Sequence, residues 1–233
     1  MIGSSAVPDP NNASLVQFDG WTLRVREAAA RPSRLLLLLH GYTGDENSMW
    51  VFARHLPKHY WMIAPRAPHP SGAEGYSWRP VPAFDLGRPS LDQLLPAAEA
   101  LIRLVDAYQA SVMPEPGSIE GIEANVFDIM GFSQGAAMSN ALAFLYPERI
   151  RKVGILAGFV PSGLEKYADR RPLHGKTVFV AHGAKDEMVP IDRAHSSMEI
   201  LEQAGARIVY CEDDVGHKVS LECLRALRAY LED

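Results

Sequence analysis

Residues 126–136 have the sequence VFDIMGFSQGA, which joins an apolar run to the start of a helical segment through a serine. Its first part, Val126 to Met130, is a short apolar run of the kind that forms a buried strand. Its last part opens a segment rich in Ala and Met, Gln134 to Tyr146, which predicts a helix that Pro147 ends. Ser133 therefore lies in a sharp turn between a strand and a helix.

The serine is flanked by glycine two residues to either side, which gives the pattern G-x-S-x-G over Gly131 to Gly135. In a strand–turn–helix setting, this pattern holds the serine hydroxyl above the sheet, at the positive N-terminal end of the helix. We interpret Ser133 as a nucleophile. An ordinary Gly/Ser turn is the alternative, and the choice between them depends on finding a base and an acid.

The rest of the chain alternates short apolar strands with helical segments. This alternation predicts an α/β fold with a mostly parallel central sheet and helices on both faces. We expect a loose leader over residues 1–14 and a single domain over residues 15–233, with a first hairpin at Asp19-Gly20. The proline-rich residues 65–90 and residues 111–125 predict surface loops. The predicted strands are 35–39, 61–64, 126–130, 153–156, 177–181 and 208–211, and the predicted helices are 91–108, 134–146, 196–204 and 219–231.

A serine nucleophile needs a base, and hydrolases with this turn place first an acid and then a histidine downstream of the serine. His217 follows the last predicted strand and precedes the last predicted helix, which is the position of the base in that order. Three other histidines follow the serine. His174 precedes a strand, His182 ends a strand and favours a structural role, and His195 is expected at a solvated helix start. We therefore predict that His217 is the general base.

The acid is expected between the serine and the base. Asp186 comes just after the carboxyl end of a predicted strand, at the edge of the sheet where active sites of open α/β folds form. Asp213 and Asp214, close before the histidine, are the alternatives. Asp128 precedes the serine inside its strand and does not fit the order. We predict that Asp186 orients the base.

Residues 40–44, with the sequence HGYTG, follow the first buried strand. Acyl transfer develops negative charge on the carbonyl oxygen, and backbone N–H groups aimed at that oxygen stabilise it. One such donor belongs to the residue after the nucleophile, here Gln134, and the other to this loop. We predict that the second donor is the N–H of Tyr42. The alternative is a simple glycine-rich turn.

The composition excludes several classes of protein. The chain has 233 residues, of which 47% are hydrophobic and 22% charged, and its net charge is −5. Without a basic block it is a poor candidate for nucleic acid or for anionic membrane surfaces. The first residues lack the features of a signal peptide, and no apolar run is long enough for stable membrane insertion. We therefore expect a cytoplasmic protein, with Cys211 and Cys223 as reduced thiols; a disulfide between them is the alternative.

A set of short segments spread from residue 38 to residue 217 is similar to that of a known family. The segments are LLHG at 38–41, PRAP at 65–68, GFSQGA at 131–136, HG at 182–183 followed by Asp186 and VP at 189–190, and GH at 216–217. They resemble the phospholipase/carboxylesterase family, the group that includes the acyl-protein thioesterases. The form Gly-Phe-Ser-Gln-Gly is much more specific than the general serine pattern.

This resemblance implies an α/β-hydrolase fold without a large lid that cleaves carboxylic esters or thioesters without a cofactor. It supports Ser133, Asp186 and His217 as a triad, and Tyr42 and Gln134 as oxyanion donors. It places no metal in the site.

We expect a serine carboxylesterase that acts on a small-molecule ester or thioester with a short to medium acyl chain, through an acyl-enzyme. An acyl-protein thioesterase or lysophospholipase of the same family is one alternative, and a catalytically silent binding protein of the same fold is another. Trp78, in the proline-rich loop, is predicted to form a wall of the substrate pocket. A homodimer is compatible with general expectations.

Overall fold

The structure is a computed structural model. It describes residues 13–29, 34–72, 75–81, 88–112 and 126–233. Residues 1–12 of the predicted leader and residues 113–125 of the second predicted loop lie outside the described residues.

The described residues contain ten strands, and eight of them form one sheet. The strands are β1 (Ser14–Phe18), β2 (Trp21–Arg26), β3 (Arg34–Leu39), β4 (Tyr60–Pro65), β5 (His69–Ser71), β6 (Gly75–Ser77), β7 (Phe127–Phe132), β8 (Ile150–Leu156), β9 (Thr177–Gly183) and β10 (Arg207–Asp213). The large sheet has the order β1-β2-β4-β3-β7-β8-β9-β10. Its first two strands are antiparallel to their neighbours, and the six from β4 to β10 are parallel.

The predicted α/β fold is therefore confirmed, and so is the first hairpin. Asp19 and Gly20, which join β1 to β2, both have positive φ angles of 47° and 80°. Two positive φ angles in a two-residue turn match the right-handed twist of the strands that it joins. The hairpin forms one edge of the large sheet, and β10 forms the other.

Helices cover both faces of the sheet. Three of them pack on one face and two on the other, which explains why β3 (sequence RLLLLL) is buried from Leu35 onwards. The first group consists of α2 (Leu91–Val112), α3 (Gln134–Leu145) and α4 (Ile191–Gln203), and the second of α1 (Trp50–Ala53) and α5 (Leu221–Glu232).

The proline-rich segment contains structure that its sequence did not predict. Strands β5 and β6 form a separate two-stranded sheet within it. Proline is tolerated in this small hairpin because a two-stranded sheet has only edge strands. The hairpin is attached to the loop after β3, since Tyr76 pairs with Gly44. It therefore lies beside the carboxyl edge of the large sheet.

The expectation of reduced thiols is wrong in this structure. Cys211 in β10 and Cys223 in the first turn of α5 form a disulfide, with their Cα atoms 5.6 Å apart. The two cysteines are 12 residues apart in the chain, but β10 and α5 pack against each other and bring them together. In the described part of the chain, no helix is both long and apolar enough to cross a bilayer.

Candidate active site

Ser133 lies at the end of β7 and immediately before α3, as the sequence predicts. Its backbone has φ 55° and ψ −115°, a conformation that L-residues rarely adopt. The N–H of Ser133 donates to the carbonyl of Leu156 on the neighbouring strand at 2.9 Å, which holds the turn against the sheet. Strained backbone of this kind persists only where the surroundings enforce it, and it occurs mainly at functional sites.

The two glycines of the motif are required by close packing. A Cβ atom on Gly131 would lie 2.1 Å from the carbonyl oxygen of Gly135, and one on Gly135 would lie 2.1 Å from the carbonyl oxygen of Leu39. Neither glycine has a positive φ, so the motif needs glycine for space rather than for backbone freedom. The closeness of Gly135 to Leu39 brings the start of α3 against the end of β3.

Asp186 and His217 form a hydrogen-bonded pair. The Oδ2 atom of Asp186 lies 2.7 Å from Nδ1 of His217. The carboxylate is buried, and its Oδ1 atom accepts the N–H groups of Met188 at 2.9 Å and Val189 at 2.8 Å. These contacts fix the carboxylate, so it can hold the imidazole with Nδ1 protonated and leave Nε2 to act as a base.

His217 lies beside the strand that carries Ser133. The ring of Phe132, the residue before Ser133, lies 4.9 Å from the ring of His217 between centroids. Within the described residues, the hydroxyl of Ser133 makes no hydrogen bond to His217 or to any other group. Catalytic hydrogen bonds are often long in the absence of substrate.

The alternative acids have other partners. Asp214 pairs with Lys185 at 2.6 Å on the surface, and Asp213 accepts the N–H of Asp214 at 2.8 Å. Asp128 is buried near the start of β7, at the opposite edge of the sheet from Ser133, where it binds Arg151 and the hydroxyl of Tyr60. Of these three carboxylates and Asp186, only Asp186 contacts His217.

His182 has a second role that its sequence position did not reveal. It is buried, as expected of a structural histidine, and its Nε2 atom lies 2.8 Å from the carbonyl oxygen of Val189. The same nitrogen is 3.6 Å from Oδ2 of Asp186. His182 therefore packs against the carboxylate and holds the backbone that donates to it. The four-residue spacing between His182 and Asp186 is the signal that could have suggested this contact.

The predicted oxyanion loop packs directly on the serine. A Cβ atom on Gly41 would lie 3.3 Å from the Cβ of Ser133. The N–H of Thr43, which has a φ of 62°, donates to the carbonyl of Tyr76 at 3.0 Å, so the small hairpin fixes the loop. Among the described residues, the backbone N–H groups of Tyr42 and Gln134 donate no hydrogen bond.

Trp78 does not line the substrate pocket, so this prediction is wrong. Its side chain is fully buried, and its indole N–H donates to the carbonyl of His40 at 2.8 Å. Its backbone N–H donates to the side-chain oxygen of Gln134 at 2.9 Å. A buried indole is tolerated in the interior when its N–H donates a hydrogen bond. Trp78 therefore supports the oxyanion loop from behind.

His40 is a second support of the same loop. Its ring lies 5.1 Å from the ring of Trp78, its Nε2 atom accepts the N–H of Ala67 at 3.0 Å, and its Nδ1 atom lies 2.7 Å from the carbonyl oxygen of Gly41. These contacts require a neutral ring with the proton on Nδ1. Burial lowers the pKa of His40, which favours the same neutral form.

Two clefts open at the site, and Tyr42 and Thr43 line both of them. The first, here called the apolar cleft, has a volume of about 420 Å³ and reaches His217. The second, here called the arginine cleft, has a volume of about 230 Å³ and reaches Ser133. The apolar cleft is lined mainly by Met49, Val51, Phe52, Phe132 and Val219, and the arginine cleft includes Arg79, Arg88 and Arg193 among its lining residues.

The described residues contain no group of three or more His, Cys, Asp and Glu side chains placed to hold a metal ion. The groups that the site brings together are the serine hydroxyl, the histidine–aspartate pair and the backbone N–H groups of the loop after β3. Together with the fold, they define an α/β-hydrolase with serine at its nucleophile turn.

Comparison with known proteins identifies the family. The sequence profile of the phospholipase/carboxylesterase family matches residues 22–233, so the chain belongs to this family. It is a carboxylic ester hydrolase by class.

Individual relatives are distant but cover most of the chain. A probable carboxylesterase, SOBER1-like, of Arabidopsis thaliana is 28% identical and aligns with 90% of this chain and 81% of its own length. Acyl-protein thioesterase 1 of Yarrowia lipolytica is 25% identical over 75% of this chain and 78% of its own. The crystal structure of a carboxylesterase from Mesorhizobium loti superposes with a TM-score of 0.76 at 20% identity, covering 95% of this chain and 99% of that one, which confirms the fold.

Proposed function

We propose that this protein is a serine carboxylesterase that hydrolyses esters of short to medium acyl chains through an acyl-enzyme intermediate. The observation that carries the proposal is the buried Asp186 carboxylate, hydrogen-bonded at 2.7 Å to His217, whose ring lies 4.9 Å from that of Phe132, the residue before the strained Ser133. Along the chain, the proposed nucleophile Ser133 comes first, the acid Asp186 second and the base His217 third. This is the order found in serine hydrolases with this fold.

The reaction proceeds in two steps. In the first, Oγ of Ser133 attacks the ester carbonyl while Nε2 of His217 takes its proton, and the oxyanion binds the N–H groups of Tyr42 and Gln134. The intermediate collapses when His217 gives that proton to the departing alcohol, which leaves an acyl ester on the serine. In the second, water attacks this ester while Nε2 of His217 takes its proton, and the bond between the acyl carbon and Oγ of Ser133 then breaks. His217 returns the proton to Oγ, and the carboxylic acid leaves.

The apolar cleft supports the proposal that the substrate has a short to medium acyl chain. Its walls consist mainly of aliphatic and aromatic side chains, and its volume of about 420 Å³ suits a small ligand. We propose that the acyl chain lies in this cleft, between α1 and the ring of Phe132. Val51, one of the residues that line the cleft, is exposed, so the cleft is open to solvent on this side.

Substitution of the nucleophile tests the proposal. We expect Ser133→Ala to lower kcat for p-nitrophenyl butyrate by about 10⁴-fold or more, because the remaining groups cannot replace a nucleophile. The matched control is Ser196→Ala, an exposed serine on α4, which should keep full activity. The measurement is initial rate at saturating ester, and thermal unfolding of each variant verifies that it is folded.

A fluorophosphonate probe gives a second readout. It should label the wild-type protein and the Ser196→Ala variant, and it should not label Ser133→Ala. If Ser133→Ala hydrolyses the ester as fast as the wild type, the proposal is wrong. A wild-type protein that neither turns over esters nor reacts with the probe would instead be the catalytically silent binding protein.

Relatives named as acyl-protein thioesterases favour a second candidate function at the same site. The chemistry of acylation is the same for an oxygen ester and a thioester, so the difference lies in the leaving group. A panel of oxygen esters and thioesters with matched acyl chains of increasing length separates the two. A carboxylesterase should show its highest kcat/KM with an oxygen ester of short or medium chain.

Location in the cytoplasm and assembly into a homodimer stay predictions. The Cys211–Cys223 disulfide is more typical of an oxidising compartment, so the first of these loses the support that reduced thiols would have given it. We retain a small-molecule ester or thioester as the proposed partner and propose no role in binding nucleic acid.

A further inference from the structure

The arginine cleft has a charge that ester hydrolysis alone does not require. Its lining includes three guanidinium groups together with Ser133 and Gln134, and none of the described residues that line it is acidic. This concentration of positive charge stands out in a chain whose net charge is −5. The three arginines are Arg79, Arg88 and Arg193.

Two of these arginines are held in place by neutral groups. The Nε atom of Arg88 donates to the carbonyl of Val160 at 3.1 Å, and a second nitrogen of the same guanidinium donates to that carbonyl too. The guanidinium of Arg193, on α4, lies 5.0 Å from the centre of the Phe159 ring. Within the described residues, neither arginine forms an ion pair with a carboxylate.

The two guanidinium groups also act on each other. Burial lowers the pKa of Arg193, and the positive charge of Arg88 lowers it further. Like charges held close together in a partly buried site are unfavourable unless an anion offsets them. A guanidinium binds a carboxylate or a phosphate through two parallel hydrogen bonds, which makes such an oxyanion the ligand that suits this cleft.

We propose that Arg88 and Arg193 bind an oxyanion substituent of the substrate, a carboxylate or a phosphate, while Ser133 attacks the ester group of the same molecule. The inference rests on the proposed function, because it takes Ser133 as the nucleophile. It adds a substrate class: esters with an apolar part for the apolar cleft and a negative charge for the arginine cleft. Because Tyr42 lies between the clefts, the scissile bond sits at their junction.

Matched pairs of anionic and neutral esters test this inference. The first pair is 3-(butyryloxy)propanoate and propyl butyrate, which share the acyl chain and differ by a carboxylate on an alcohol part of equal length. The second is butyryl glycerol phosphate and butyryl glycerol. We expect kcat/KM to be about 10-fold or more higher for the anionic member of at least one pair. The pair that shows the preference tells whether the cleft takes a carboxylate or a phosphate.

Arginine variants show whether the cleft causes the preference. Arg193→Gln and Arg88→Gln should each bring the ratio of anionic to neutral kcat/KM towards one, and Arg193→Lys should restore part of it. The matched control is Arg228→Gln, an exposed arginine on α5 paired with Glu232, which should keep the wild-type ratio. Thermal unfolding verifies that each variant is folded. Added salt should weaken the preference.

The outcomes separate this inference from the function on which it rests. If kcat/KM is the same for the neutral and the anionic ester of both pairs, the inference is wrong and the proposed carboxylesterase stands. If the preference exists but survives both glutamine variants, the arginines do not cause it and the inference is again wrong. If no ester is hydrolysed at all, the proposed function fails, and the inference fails with it.

Discussion

The candidate site shows how single residues are constrained by their neighbours rather than by their own chemistry. Ser133 adopts a strained backbone because its N–H is bonded to Leu156 and because both flanking glycines pack against carbonyl oxygens at distances that no side chain permits. Trp78 and His40, which line neither the apolar cleft nor the arginine cleft, set the position of the loop that bears the Tyr42 N–H. Residues that line neither of these clefts can therefore determine where the backbone N–H of Tyr42 lies.

His40 makes stability depend on pH. Burial lowers its pKa in the folded protein, so the unfolded chain binds the proton first as the pH falls. The contribution of His40 is constant well above about pH 6.5, the ordinary value, and is lost progressively as the pH drops below it. We expect His40→Gln, whose amide oxygen can accept the N–H of Ala67, to lose less stability than the wild type between pH 8 and pH 5.5.

Urea denaturation at the two pH values measures this difference, because other titrating groups are common to both proteins and cancel in the comparison. The matched control is His195→Gln, an exposed histidine on α4, which should follow the wild type at both pH values. An equal loss of stability in the wild type and in His40→Gln would contradict the prediction.

At the level of elements, the residues of the candidate site all lie at the carboxyl ends of the parallel strands. Strand β3 leads into the oxyanion loop, β7 into Ser133 and β9 into Asp186, while the connection from β10 to α5 carries His217. Each of these residues belongs to a different connection, so their relative positions depend on the register of the sheet. The β5–β6 hairpin adds a further support by pairing with the oxyanion loop at Gly44.

The disulfide closes the connection from β10 to α5, which carries His217. His217 lies midway between Cys211 and Cys223, so the bond ties together both ends of its loop. For a loop of this length, chain entropy predicts that the bond contributes about 3 kcal/mol to the free energy of unfolding. We expect reduction to lower stability by about that amount and to lower kcat/KM, because the loop then gains freedom to move His217 away from Asp186.

Guanidinium denaturation and ester hydrolysis with and without a phosphine reductant measure both effects. A double variant, Cys211→Ser with Cys223→Ala, should show the reduced behaviour in both conditions and no response to the reductant. The prediction fails if the wild-type protein has the same stability and the same kcat/KM before and after complete reduction of the disulfide.

For the whole molecule, the sequence predicted what depends on local pattern and chain order. The strand–turn–helix at Ser133 and the positions of Asp186 and His217 follow from motifs a few residues long. The burial of Trp78 and the pairing of Cys211 with Cys223 depend on contacts between distant segments, such as the indole bond to His40 across 38 residues. The division of the site into two clefts depends on such contacts too, so no single segment could reveal it.

The two ends of the parallel strands have different roles. We expect residues at the end opposite Ser133 to affect stability and not catalysis. At the edge opposite Ser133, the buried Asp128 accepts hydrogen bonds from the hydroxyl of Tyr60 at 2.5 Å and from the N–H of Lys152 at 3.0 Å, and it forms an ion pair with Arg151. Removing one partner of a buried charge pair leaves the other uncompensated. We expect Asp128→Asn to lower the free energy of unfolding by about 3 kcal/mol.

The same substitution should leave kcat/KM for p-nitrophenyl butyrate within about twofold of the wild type at temperatures where the variant is folded, because no residue of the site touches Asp128. The matched control is Asp106→Asn, which breaks an exposed ion pair with Arg149 and should cost about 1 kcal/mol or less. Urea denaturation and ester hydrolysis on all three proteins measure the two effects. A large fall in kcat/KM for folded Asp128→Asn would contradict the prediction, because it would mean that Asp128 affects the site around Ser133 from the opposite end of the strands.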